Sequence, residues 1–318
     1  MPFSGALNTA SIEASRWLIE NAPVKIQIHG HWVWRAVRGS FLTNARVPAL
    51  VPGVEVGACS PATDHSDAAS QVRFGFVEYA TRFQVCNADQ DRYGSPNEAE
   101  QLETVLAQIK LDYAYYAQLD KVTGNPDFGG LPDICAPGNF VNMAGAALDF
   151  PCLEQAFSLV TANNGRPTMI MSNTRAQMDY HNLCWNAGIE PPKMPWRWYD
   201  PFKGWQTGLV TAFHGVPWLI NDMIPEERDV LEQRRIYFMV VGDDGGPGPT
   251  RGVIGIRPAH LMGSPYVKRI TQGVPNFATQ QVNMTRDAWL TMPAGLALGS
   301  QGALSILTNF NYVGLCQA

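Results

Sequence analysis

Residues Ser95 to Gly124 constrain this chain most, because they read as one continuous helix of about 40 Å at 1.5 Å per residue. Ser95 is placed as the N-cap, Pro96 suits the first helical position, and Glu98 stands three residues after the cap. That spacing is a capping box, in which each side chain satisfies a backbone N–H of the other residue. Leu102, Val105, Leu106, Ile109, Tyr113, Tyr116 and Leu119 recur in steps of three and four, which aligns them on one face. Gly124 and Pro126 end the helix, one by accepting a left-handed backbone and the other by lacking a donor. A helix this long suits a strut with other structure laid along it.

The composition says what surrounds the strut. With 46% hydrophobic and 16% charged residues, the 318-residue chain can bury a sizeable core in one large domain or two. A net charge of −5 gives no general attraction for nucleic acid, although 17 Arg against 6 Lys supply fork-shaped donors for local contacts. The six cysteines are scattered without a CxxC, which points to buried thiols in a reducing compartment. Met1 to Ala10 lacks the basic start and apolar run of a signal peptide, and no window is apolar enough to span a membrane. The expectation is a soluble cytoplasmic product.

In chain order, a helix is expected from Thr9 or Ser11 to Ala22, then extended chain over Val24 to Ile28 and Trp32 to Val37. Phe41 to Val85 makes a long excursion. One limb, Ala45 to Val56, is interrupted by Pro48 and Pro52; the tip, GACSPATDHSDAAS, is small and polar; the return limb runs from Gln71 to Val85. Its alternation of Val72, Phe74 and Phe76 slips near Val77 and resumes with Tyr79, Phe83 and Val85. Such a slip signals a bulge or a crossing from one sheet to another. A hairpin of this kind shields its own backbone poorly and needs a neighbour. A turn-rich link (NPDFGGLPDICAPG) follows the strut. Helices are then expected at Asp149 to Asn163 and Thr174 to Trp185, with a strand at Thr168 to Met171. Met194 to Trp205 (MPWRWYDPFKGW) reads as a structured loop. Strands are expected in Gly208 to Ile224, Arg235 to Val241, Val253 to Ile256, Val267 to Ile270, Val282 to Asp287 and Leu290 to Met292, and Gly302 to Asn309 closes the chain. The class is α+β.

No catalytic constellation emerges. His29 and His31 lack a nearby carboxylate or cysteine ligand, and Asp243-Asp244 lacks the lysine and hydroxyl of a phosphate loop. There is no GxSxG and no HExxH. No cofactor, metal or catalytic residue is expected, and the chain reads as a non-enzyme; a soluble enzyme of another chemistry is the alternative from a different class.

Four segments nevertheless resemble one known family. Gly57 to Val85 running into Ser95 to Val122 is similar to an extended loop feeding a spine helix. Lys121 to Ala136 resembles a glycine-rich turn with a "GLP/GIL"-type link. Pro167 to Trp185 (PTMIMSNTRAQMDYHNLCW) is similar to a strand-then-helix reading roughly "ALVMNPATLAALR". Gly208 to Pro225 (GLVTAFHGVPWLINDMIP) resembles a "LLGYPVVVSDAMP" strand pair, followed by Ile236 to Gly242. The family is that of the major capsid proteins of tailed double-stranded DNA bacteriophages, whose fold is shared with encapsulins and the herpesvirus capsid floor.

The resemblance implies an N-terminal arm (1–40), an extended loop (41–78), a peripheral domain (79–165 with 258–318) and an axial domain (166–257). It implies pentamers and hexamers of an icosahedral virion shell, assembled in the host cytoplasm around double-stranded DNA held by non-specific contact. Separate scaffolding, portal and cement proteins are implied partners, and no membrane. An encapsulin-like compartment around protein cargo is the alternative within the same fold. Intersubunit contacts are expected at Arg73, Phe74, Phe76 and Arg82 on the return limb, and at Glu103, Lys110 and Tyr113 on the spine. No helix-rich scaffolding segment precedes the arm, so the scaffold is expected to be separate or cleaved. Some family members join subunits through an isopeptide bond from a loop lysine, but no lysine lies between Lys25 and Lys110 here. Denatured shells should therefore give a single 35.0 kDa species by mass spectrometry; ladders of linked subunits would refute a non-covalent shell.

Overall fold

The computed structural model describes residues 33–38, 41–46, 70–86, 130–164, 166–200, 204–224, 234–242, 252–261, 267–272 and 285–311. The Ser95 to Gly124 helix, the helix before Ala22, the loop tip before Ser70, His29, His31, Asp243 and Asp244 lie outside them. Four strands come first: β1 (Trp34–Val37), β2 (Phe41–Arg46), β3 (Ser70–Gly75) and β4 (Val77–Cys86). A short helix α1 (Leu131–Ile134) and strand β5 (Phe140–Asn142) lead to helix α2 (Phe150–Asn164), strand β6 (Met169–Ser172) and helix α3 (Thr174–Asn186). Then come β7 (Lys193–Asp200), β8 (Gly204–Phe213), β9 (Val216–Ile220), β10 (Arg235–Met239), β11 (Val253–Pro258), β12 (Val267–Gln272), β13 (Thr285–Leu298) and β14 (Leu304–Thr308). Helix and sheet mix irregularly, as an α+β chain should.

The return limb changes sheets where its alternation slips. β3 pairs antiparallel with β2, from Phe41↔Gly75 to Arg46↔Ser70, whereas β4 pairs antiparallel with β13. Phe76 is the single residue between them. The outgoing limb starts earlier than the expected Ala45, because β2 begins at Phe41. β13 is one strand of 14 residues and not two. It takes β4 along one edge; along the other it takes β12 up to Thr291 and β11 from Gly295. Pro293 falls in the gap between β12 and β11, where a missing N–H breaks no bond on that edge. At Gly295 an added Cβ would collide with the Gly75 carbonyl oxygen and lie 3.0 Å from the Ile256 side chain. β13 and the crossover therefore touch backbone to backbone.

β1 completes this five-stranded sheet by pairing parallel to β11. The Trp34 ring lies over Gly255, where a Cβ would come within 2.6 Å of it, and Arg257 covers the same ring at 3.5 Å. β1 is thus held by a tryptophan seat that only glycine leaves open.

The second sheet has seven strands in the order β5-β14-β10-β6-β9-β8-β7. β6 and β9 are buried at every position, and β10 and β14 at all but one. Burial without alternation means cover on both faces. α2 supplies cover through Phe157 against Phe213 and Phe238, and through Ser305 Oγ, which donates to the Ala156 carbonyl. α3 stacks Tyr180 on Trp218 at 4.9 Å, while Trp218 Nε1–H donates to Ser172 Oγ. β5 and β14, from outside 166–257, join the seven-stranded sheet, and β11, from within that range, joins the five-stranded one. The two sheets meet where Val253 N–H donates to the Val240 carbonyl.

Two turns show the local logic. β8 and β9 are joined by His214 and Gly215, both with positive φ (49° and 68°), the requirement of a two-residue type I′ hairpin. α3 starts with Asn173 accepting from Ala176 N–H and Asp222 accepting from Thr174 N–H, and ends at Gly188 with φ of 72°.

Gly295→Ala should destabilise the fold by about 1–3 kcal/mol or more, since neither backbone nor Ile256 gives way freely. Gly138→Ala, with nothing within 4 Å, is the control. Equal denaturant midpoints for the two variants would refute the backbone contact.

Candidate assembly surface

The structure distributes the expected contact residues unevenly. Arg73 stands on β3 across from Thr43, and Arg82 on β4 across from Trp289. Phe74 is only 3% exposed and belongs to the subunit's own core. Phe76, at the crossover, is half-buried and packs against that core. Burying a phenylalanine contributes about 1.5–3 kcal/mol, so the first task of Phe74 is to fasten the hairpin root. Glu103, Lys110 and Tyr113 lie outside the described residues.

A second surface was not foreseen. Met194 to Trp205, expected as a loop, forms β7 and the start of β8. The aromatics and prolines hid an alternation visible in retrospect: Met194, Trp196 and Trp198 face the core, whereas Lys193, Pro195 and Arg197 are exposed. The partners across the ladder are Pro195↔Leu209, Arg197↔Thr207 and Tyr199↔Trp205. Arg197 places its guanidinium 4.5 Å from the Trp205 ring centroid, a cation–π contact. An open groove of about 540 Å³ lies among Pro195, Trp196, Arg197, Trp205 and Thr207.

α3 adjoins this face. His181 Nε2 is 2.8 Å from Thr211 Oγ1, two residues along β8 from Leu209. Burial, and then the nearby Lys193 charge, lower the His181 pKa, so its ring is neutral at pH 7. Trp185 follows one turn later, its ring 6.0 Å from His181. Beyond Thr211 the helical cover ends. Leu209 is 69% exposed, Trp185 62%, Met178 58%, Ile189 54% and Trp205 49%. Apart from Val33, these are all the large hydrophobic side chains exposed among the described residues.

Among the described residues, no three His, Cys, Asp or Glu groups cluster as metal ligands. Cys135, Cys152 and Cys184 form no disulfide. Burial, followed by a hydrogen bond to Asp149 and its charge, pushes the Cys152 thiol up to about 11, which keeps it protonated and unreactive near neutral pH. No helix among the described residues is long and apolar enough to cross a membrane.

No family profile and no curated protein matches the chain at a significant level. Solved structures do match. The SrpI encapsulin of Synechococcus elongatus, from its holo complex, aligns with a TM-score of 0.66 at 18% identity, over 95% of this chain and 90% of that one. A chain of Mycobacterium phage Bobi aligns at 0.56 and 12%, over 92% and 93%. The capsid of a native GTA particle aligns at 0.55 and 13%, over 90% of both. This is the fold shared by tailed-bacteriophage capsid proteins and encapsulins, as the four sequence segments led us to expect.

Phe74→Asp should lower the melting temperature and soluble yield of the isolated subunit, because it buries an unpaired carboxylate at a cost of about 3 kcal/mol or more. A variant that melts like the parent would refute the core placement. Arg73→Glu is the cleaner probe of an intersubunit role.

Proposed function

We propose that the protein is a structural subunit that assembles itself into a closed icosahedral shell of pentamers and hexamers. The observation that carries this reading is the full-length likeness of fold: 90% or more of this chain superposes on shell-forming proteins that are themselves covered to the same extent. A core-tethered hairpin adds physical support. Among the described residues β2 and β3 pair only with each other, in a two-stranded sheet, and in this reading each offers its other edge to a neighbour. In this reading Arg73 and Arg82, with Glu103, Lys110 and Tyr113 of a neighbour's spine helix, form the intersubunit contact, and Phe74 and Phe76 hold its root. Head-to-tail contacts of this type are heterologous and close into rings. Many modest contacts then stabilise the whole by mass action.

Within this function we favour a virion capsid enclosing double-stranded DNA, built with separate scaffolding, portal and cement proteins. The sequence segments and the phage and GTA likenesses support it. The higher TM-score of the encapsulin favours a second reading, a compartment around protein cargo. Both need assembly and no catalysis.

Size-exclusion chromatography with negative-stain microscopy, on the protein alone and with its neighbouring gene product, tests the proposal. Hollow shells or five- and six-fold rings are expected. A compact dimer or tetramer under every condition would overturn it. Nuclease-protected DNA in purified particles separates the capsid from the cargo compartment.

A further inference from the structure

The hairpin of β2 and β3 is joined to the five-stranded sheet at both of its feet, and by very little chain. Arg38, Gly39 and Ser40 alone separate β1 from β2, and Phe76 alone separates β3 from β4. Phe41 and Gly75 pair as the first rung of the hairpin, so both links arrive at the same end of it.

Each foot meets a glycine of the sheet. On the β3 side, the Gly75 carbonyl oxygen takes the space of a Cβ on Gly295 of β13. On the β1 side, the Trp34 ring takes the space of a Cβ on Gly255 of β11. The two glycines are neighbours across the ladder, since Gly255 pairs with Leu296 and Gly295 with Ile256.

The two clamps differ in kind. The first is backbone on backbone, with Phe74 buried next to it. The second is a side chain laid down by a strand at the sheet's edge. β1 has four residues and ends the strand order of its sheet among the described residues. Val33, Arg35 and Ala36 are exposed, Trp34 is half-buried, and Val37 alone of the strand is fully buried. The Arg257 guanidinium, 3.5 Å from the ring centroid, holds Trp34 on its seat by a cation–π contact.

Two clamps do what one cannot. β2 and β3, among the described residues, pair only with each other. A ribbon held at one foot swings about that foot in any direction. A second foot on the adjacent strand restricts it to a hinge about the line between them. From Phe41 to Arg46 the ribbon runs about 17 Å at about 3.3 Å per residue. A swing of about 15° would move its far end by about 4 Å, more than the length of a hydrogen bond.

We infer that Trp34 is the positioning residue of the hairpin. Seated on Gly255 beneath Arg257, it fixes the direction in which β2 and β3 project from the sheet, and through that the place where Arg73 meets the next copy. The second half of this inference rests on the shell reading above; the first half does not.

Pulsed electron paramagnetic resonance on the full chain tests it, with spin labels on unnatural residues at Thr43 of β2 and at Gln301, which is exposed just beyond β13. Such labels spare the native cysteines, and diluting labelled into unlabelled chain removes distances between copies. The parent should give one narrow distance. Trp34→Ala, and Gly255→Ala, which unseats the ring without removing it, should each broaden or shift that distance by about 4 Å or more. The three atoms nearest a Cβ at Gly255 all belong to Trp34, so the double variant should do no more than Trp34→Ala alone. Trp34→Phe, which keeps a ring over the glycine, should return most of the parent's distribution. A lower melting temperature with unchanged distances would mark a merely stabilising contact and overturn the inference, as would a double variant in which the single effects add. For assembly, Trp34→Ala is expected to raise the protein concentration needed for rings or shells about tenfold or more. Assembly equal to the parent's with shifted distances overturns the link from hairpin direction to the Arg73 contact. A parent that forms no rings under any condition removes the shell reading, and the distances alone then decide the positioning role.

Discussion

The close approach of Gly295 to the backbone at Gly75 is the constraint on which most of the architecture depends. β13 is central only because both its edges are occupied, by β4 on one side and by β12 and then β11 on the other. An unpaired backbone donor in that position would cost as much as a lost hydrogen bond, so the strand must be served by segments from distant parts of the chain. The return limb reaches it by crossing at Phe76, and the crossing needs the space of a missing Cβ. Once made, it fixes the root of the hairpin, with Phe74 anchored below.

The seven-stranded sheet solves a different problem. Its central strands are almost wholly buried, so a polar group there is costly without a partner. Trp218 Nε1–H is taken by Ser172, the Ser305 hydroxyl by Ala156, and Asn139 reaches the Gln301 and Leu304 carbonyls. His214 brings the β8–β9 turn onto α2 by placing Nε2 against Glu154 and its ring against Phe157. The outcome is a rigid centre whose only large apolar exposure, among the described residues, is at the β7–β8 end and on α3.

A subunit built this way divides its labour. Its interior is closed by chain crossings that tolerate little substitution, while among the described residues the large apolar side chains left exposed fall mainly on α3 and β8. Where an edge would invite indiscriminate pairing, as along β7, proline interrupts it.

The sequence alone determined the class and much of the order. The helices at Phe150–Asn164 and Thr174–Asn186 fall within one residue of the spans expected from the sequence. The change of sheet at Phe76 was legible because a one-residue slip reverses every side chain. Met194 to Trp205 was misread because prolines and aromatics resemble a loop until the facing strand is known. The length of β13 was hidden because Pro293 is harmless only where two partner strands change over. Tertiary structure decided the fate of Phe74, the membership of β5, β11 and β14, and the exposure of Trp185 and Leu209. Such features depend on which distant segments arrive alongside, and local pattern carries propensity and period but no record of the neighbour across the sheet.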